Sequence, residues 1–293
     1  MGRLFFTLKI IILSPIVIVF TGILLTVICC RTPKTVSVIT EYSPEQKALW
    51  QKQKGSINEI NRLFAENNQD YFTDIQRDTI KPDNIFRIAV IGDSWIWGDG
   101  IYYKYTWSHL LEDKILEKYK NTELISWGLC GWSTLHEYRY FINNGFRYHS
   151  DLLIVGVVEN DPSLSYDDQP AEFKKWQEGL YSDFNLKGYE NLILDFVDSV
   201  NSNGTEILFV LTPLSADSTR MRWNNKIVDI MTRNNLNYLN LYPAFANKFK
   251  GLPPEVLFAS PVNGHPGLRL NKFFANEVFN YLKRNNYLIK KVS

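Results

Sequence analysis

The stretch RIAVIGDSWIWGDG, residues 87–100, decides how the rest of the chain is read. Arg87 to Ile91 is a short, largely β-branched run, suited to a central strand covered on both faces. Gly92 permits a sharp exit, Asp93 can bond back to its own loop, and Ser94 falls at the strand's carboxyl end. Ligands bind along that edge in open α/β sheets. The same residues also suit an ordinary turn, which favours Gly, Asp and Ser, so the decision passes to the sequence around them.

Outward from this stretch, short apolar runs alternate with helical patterns. Strands are predicted at Ile85–Ile91, Glu123–Trp127, Leu152–Val158, Glu206–Leu211 and Tyr238–Leu241. Between them Trp107, Leu111, Ile115 and Tyr119 recur at helical spacing, and Leu270, Phe274, Val278 and Leu282 mark a last helix. This order predicts a three-layer α/β/α sandwich with a central parallel sheet of about five strands. Residues 159–186 form a long connection whose Tyr166, Phe173, Trp176, Tyr181 and Phe184 suit either a sugar or acyl group or packing onto the domain.

Towards the N-terminus the character changes. Ile10 to Cys30 is a run of 21 residues without a charge, long enough to span a bilayer as a helix. It exceeds the hydrophobic region of a signal peptide and is followed by no small-x-small cleavage site. Basic residues flank both sides, Arg3 and Lys9 against Arg31 and Lys34, and the free amino terminus tips the C-terminal body to the exported side. The expected domains are a membrane anchor at 1–30, a connector with a helix at 31–80, and a catalytic-type domain at 81–293. The helix, Ser43 to Phe64, opens on SPEQ, with serine as N-cap and proline next.

The totals exclude several classes. Lys plus Arg number 32 against 31 Asp plus Glu, which gives no basic footprint for a nucleic-acid partner. Of the three cysteines only Cys130 lies in the body, so no disulfide forms within it. No CxxC or HxxxH spacing occurs, and neither a metal nor another cofactor is expected.

Four blocks follow one another, the first three at predicted strand ends and the fourth near the C-terminus. IGDSW at 91–95 resembles the first signature of the SGNH/GDSL hydrolase family, with Ser94 at the nucleophile position. WGLCGWST at 127–134 resembles the second block, with Gly131 at the oxyanion glycine and Ser126 where the family usually has Asn. VVENDPS at 157–163 resembles the Gly-x-Asn-Asp block, with Asn160 at the oxyanion asparagine and Val158 in place of glycine. SPVNGHPG at 260–267 resembles the block that carries the catalytic histidine, here His265, with Pro266 expected to start the last helix. Each block alone is weak; the four in order cover roughly residues 85–285.

The resemblance implies a serine nucleophile, Ser94, activated by His265 as base. It implies an oxyanion hole from the backbone N–H groups of Ser94 and Gly131 and the amide of Asn160. Asp93 is then structural. One departure matters: the family's acid stands three residues before the histidine, where this chain has Val262. Asn263, two before it, can orient the imidazole but supplies no charge. The expected activity is that of a membrane-anchored serine esterase or O-acyltransferase acting on O-acyl esters, acetyl above all, of cell-envelope or extracellular glycans. Two rivals stand beside it: a degraded SGNH domain that binds glycan or partners a membrane acyltransferase, and a lipid-directed esterase.

Overall fold

The computed structural model describes residues 44–165 and 173–288. Its centre is a five-stranded sheet: β1 (Phe86–Gly92), β2 (Thr122–Gly128), β3 (Leu152–Val157), β4 (Glu206–Leu211) and β5 (Tyr238–Asn240). All neighbours pair in parallel, in the order β2-β1-β3-β4-β5. The first strand therefore lies inside the sheet, flanked by β2 and β3, and the chain reverses its direction of travel across the sheet beside it.

Period-two alternation sorts the strand residues into two layers. Ile88, Val90, Leu152, Ile154, Leu208 and Val210 face the helices Trp107–Lys118 and Leu268–Arg284. Ala89, Ile91, Leu153, Val155, Phe209 and Leu211 face the helices Thr134–Asn143, Asp183–Ser202 and Ser218–Arg233. Because both faces are covered, the strands are almost wholly buried and read as continuous apolar runs. The predicted strands and the three-layer arrangement match this architecture, with bounds differing by a residue or two.

The connector does not stand off the sheet. The helix α1 (Pro44–Ala65) turns Asn61, fully buried, and Lys54, nearly so, towards the loop after β1. Phe64 stacks on Tyr103 with ring centroids 4.0 Å apart. Beyond α1, Phe72 enters the core, Thr73 Oγ1 donates to Trp97 O, and Asp74 Oδ2 accepts from Ser126 N. Among the described residues no helix is long and apolar enough to cross a membrane. The expected anchor, Ile10–Cys30, lies outside the described residues.

Near the C-terminus an antiparallel pair, β6 (Phe258–Ser260) and β7 (Asn263–Pro266), precedes the last helix. Pro266 ends β7 rather than opening the helix, which starts at Leu268 with Gly267 as its N-cap. The reason is local: Asn271 Nδ2 donates to both Pro266 O and Gly267 O, and its Oδ1 accepts from Trp107 N, tying this entrance to the neighbouring helix.

Candidate active site

Ser94 opens a one-turn helix, Ser94–Trp97, at the carboxyl end of β1. Asp93 caps it, its Oδ1 accepting from Trp95 N at 2.9 Å. Gly98, at φ 94°, ends it in the left-handed conformation, and the N–H groups of Gly98 and Asp99 both return to Ser94 O at 3.0 Å. That reversal brings Asp99 back beside the serine. The end of β2 closes from the other side: a Cβ on Gly128 would meet Trp97 N at 2.5 Å, so the first glycine of the second block is a close backbone approach.

The hairpin β6–β7 brings His265 to this turn. Its Nε2 lies 2.8 Å from Ser94 Oγ. Its Nδ1 lies 2.6 Å from Asn263 Oδ1 and 3.2 Å from Asp99 Oδ2. Asn263 is held with its oxygen towards the ring, because its Nδ2 donates to Asp99 O and its Oδ1 also accepts from His265 N, each at 3.2 Å. With two acceptors facing Nδ1, the network assigns the proton to that nitrogen and leaves Nε2 free to accept from the serine hydroxyl. Burial pushes the His265 pKa down, Asp99 opposes that, and Lys54 adds to it. The net direction keeps the ring neutral, as a base requires.

Asp99 is the carboxylate that sequence reasoning sought near His265 and did not find there. It lies near the end of RIAVIGDSWIWGDG, five residues after Ser94, and is 2% exposed. Its Oδ2 pairs with Lys54 Nζ at 3.0 Å and its Oδ1 accepts from Asn58 Nδ2 at 2.6 Å. The signal was the second Gly-Asp pair, Gly98-Asp99: a single helical turn ended by glycine doubles back on the residue that opened it. Gly100 adds a constraint, since at φ 81° a Cβ there would lie 1.9 Å from Asn263 Nδ2.

The two other predicted oxyanion residues share the same sheet edge. Gly92 pairs with Gly128 across β1–β2, and Gly131 follows three residues later at φ 82°, exposed, with open space where a Cβ would be. Ile91 pairs with Val155 across β1–β3, and Asn160 follows β3 in a half-buried turn. Asp161 fixes that turn by accepting from Val158 N and, at 3.1 Å, from Thr134 Oγ1. The structure thus brings Ser94, His265 and Asn263 into hydrogen-bonding distance and sets Gly131 and Asn160 in the loops that follow the strands flanking β1.

Around the turn at Ser94 lie three buried carboxyls, Asp93, Glu137 and Asp161. Burial pushes Asp93 up to about 7. Burial, then repulsion from neighbouring carboxyls (Asp161 and Asp93 on Glu137, Asp93 on Asp161), pushes Glu137 and Asp161 well above the usual carboxylate range. Neither Glu137 oxygen has a hydrogen-bond partner among the described residues. No group of three or more His, Cys, Asp or Glu among the described residues is placed to hold a metal ion. The other histidines do different work: His136 completes a capping box with Ser133, and His109 Nδ1 bonds Thr106 Oγ1.

Of the aromatic residues in the long connection, Tyr166 and the side chain of Phe173 lie outside what is described. Tyr181 is buried, stacked on Trp223 at 4.7 Å, and Trp176 packs against the core. Phe184 is 93% exposed. Tyr181 and Trp176 thus take the packing role of the two expected for this segment.

No family model and no curated protein matches the sequence. Solved structures do match the fold. Axe2, an acetylxylan esterase from Geobacillus stearothermophilus, superposes with a TM-score of 0.53 at 15% identity, covering 70% of this chain and 95% of its own. The acetyl xylan esterase AlAXEase gives 0.52 at 17% identity, covering 67% of this chain and 99% of its own. LAE5, an α/β hydrolase from the metagenome of Lake Arreo, Spain, gives 0.51 at 17%, covering 69% and 95%. With the strand order β2-β1-β3-β4-β5, three sequence blocks at one sheet edge and the fourth on the hairpin beside Ser94, the chain has the fold of the SGNH/GDSL esterases.

Proposed function

We propose that the chain is a serine esterase or O-acyltransferase of the SGNH type, acting on O-acetyl esters of cell-envelope or extracellular glycans. The observation that carries the reading is the contact of Ser94 Oγ with His265 Nε2 at 2.8 Å, backed at Nδ1 by Asn263 and Asp99. A buried serine, a neutral imidazole and a carboxylate in line form the constellation that acyl transfer needs.

In this reading Ser94 Oγ attacks the ester carbonyl carbon while its proton passes to His265 Nε2. The imidazolium is stabilised by the Asp99 carboxylate, and Asn263 holds the ring in plane. The tetrahedral oxyanion is met by the backbone N–H groups of Ser94 and Gly131 and the Asn160 amide. The carbon–oxygen bond to the leaving alcohol then breaks, and the alcohol takes the proton from Nε2. Water or an acceptor hydroxyl attacks the acyl-enzyme, giving its proton to Nε2. The bond to Oγ breaks and the proton returns to Ser94.

The substrate class draws on the two acetylxylan esterases among the structural neighbours and on the expected anchor at residues 10–30, which would set the domain beside an envelope polymer. A fluorophosphonate probe and 4-nitrophenyl acetate test the chemistry. Wild type is expected to be labelled and to turn the ester over, and Ser94→Ala to do neither. A wild type silent in both assays would remove the esterase reading. Release of acetate from an acetylated polysaccharide, against release from a long-chain ester, tests the substrate class.

A further inference from the structure

We propose that Lys54 and Asn58, on α1, are positioning residues for the reaction at Ser94 that act through Asp99. A helix ahead of the sheet in sequence is then a working part of the active site. The inference rests on the esterase reading above and adds a part that no residue of the four sequence blocks supplies.

The contacts are specific. Lys54, Asn58 and Asn61 stand at i, i+4 and i+7, one face of α1. Lys54 Nζ is 3.0 Å from Asp99 Oδ2, the same oxygen that faces His265 Nδ1. Asn58 makes two bonds to one loop: Nδ2 donates to Asp99 Oδ1 at 2.6 Å, and Oδ1 accepts from Gly100 N at 2.8 Å. Asn61 Nδ2 donates to Gly98 O and Ile101 O, at 3.0 and 2.8 Å, and its Oδ1 accepts from Tyr103 N at 3.0 Å. The loop that carries the acid is therefore shaped residue by residue by this helix face.

The energetics make these contacts necessary rather than incidental. At 2% exposure Asp99 has lost its water, and buried polar groups need cations and donors in its place. Lys54 is the cation at Asp99, its side chain 9% exposed, so the pair is screened little by solvent. The charged groups that act on His265 are Asp99, which favours the imidazolium, and Lys54, which opposes it. Asn263 and Ser94, its other partners, carry no charge. Lys54 thus has two linked effects: it holds the Asp99 side chain facing Nδ1, and it restrains the basicity that Asp99 confers on the ring.

Rates of 4-nitrophenyl acetate hydrolysis against pH, in the full-length chain, separate this role from simple packing. Lys54→Met should lower kcat about 10-fold with KM changed less than about twofold, since the His265 ring presents a charge to Asp99 only as the imidazolium forms. The acid limb of kcat/KM should move to higher pH, because removing the cation favours the protonated ring. Lys54→Arg should keep the limb in place. In an Asp99→Asn background Lys54→Met should change kcat less than about twofold, as a residue acting through Asp99 must. Equal losses in both backgrounds, or a loss matched by the unfolded fraction with an unmoved limb, would overturn the proposal. If Lys54→Met does not fold, Asn58→Ala carries the same cycle. NMR titration of the His265 ring gives a readout free of turnover. An upward move in Lys54→Met supports the inference even if the ester is not the substrate, and an unmoved titration overturns it.

Discussion

Two settings for buried carboxyls meet at Ser94, and they are built in opposite ways. In the loop at Asp99 the carboxylate has a lysine, an asparagine and the histidine ring around it. In the interior around the serine turn, Asp93, Glu137 and Asp161 pair with no lysine or arginine among the described residues, and both oxygens of Glu137 are unpartnered. In the proposed mechanism the first setting places a carboxylate where a developing imidazolium can use it. The second pushes its groups towards the neutral form, with Asp93 raised to about 7. Pairs of carboxyl groups whose surroundings drive them apart are a recurring means of dividing roles within one site. The difference teaches that burial alone does not make a catalytic acid; the partner does.

The sharpest way to break the comparison is to remove the charge at Asp99 alone. Asp99→Asn should lower kcat by about 10²–10³ while binding of a short ester changes little. The loss should be smaller than the roughly 10⁴ known for the matching change in serine proteases, a case from another fold in which the tautomer is lost as well. Here Asn263 still accepts from Nδ1 and preserves the tautomer. Steady-state kinetics over the pH range decide it. A loss under about threefold would show that Asn263 serves His265 without help.

Much of this was legible in the sequence, for physical reasons that differ from part to part. The strands were visible because a sheet covered on both faces demands unbroken apolar runs, and Ile88 to Ile91 and Leu152 to Val157 have no other use. Ser94 was visible because it sits at a strand end in the first block, and His265 and Asn263 because they share the last block. Asp99 was not, although it lies five residues after Ser94. A resemblance directs attention to positions near the histidine, whereas the carboxylate reaches it through space from the loop after the nucleophile. Lys54 and Asn58 were invisible for a related reason: helical periodicity shows that a face exists, not which loop it will meet. The Pro266 expectation failed because proline suits a strand's last residue as well as a helix's first turn.

The next effects in size lie at Asn263. Removing its side chain, in Asn263→Ala, leaves Asp99 as the acceptor for Nδ1, so kcat should fall only about 10-fold. Asn263→Asp is more telling. The asparagine Nδ2 donates to Asp99 O, and a carboxylate cannot, so an acceptor would face an acceptor at about the same distance. A second negative charge beside His265 also raises the ring's affinity for protons. The expected result is a fall of a few-fold and an acid limb at higher pH, read from the same profiles. A gain in turnover would mean that Asp99 is not the acid.

The smallest effect on turnover, and the best test of the second setting, is expected at Glu137. Its folded pKa is raised, so between the ordinary glutamate range and that raised value the folded chain binds more protons than the unfolded one. Stability is then fully present at low pH and is lost as pH rises through the window, with Asp93 adding a loss up to about 7 in the same sense. Glu137→Gln mimics the protonated form and carries no such penalty. It should raise the melting temperature at pH 8 by roughly 2–5 °C and change it less at pH 4, flattening the decline of stability between them. Glu137 touches neither Ser94 nor His265, so turnover should stay within about twofold of wild type. Thermal melts from pH 4 to 8 measure the slope directly. An unchanged slope would mean that the buried carboxyl is ionised in the folded chain and finds compensation, and the contrast with Asp99 would collapse.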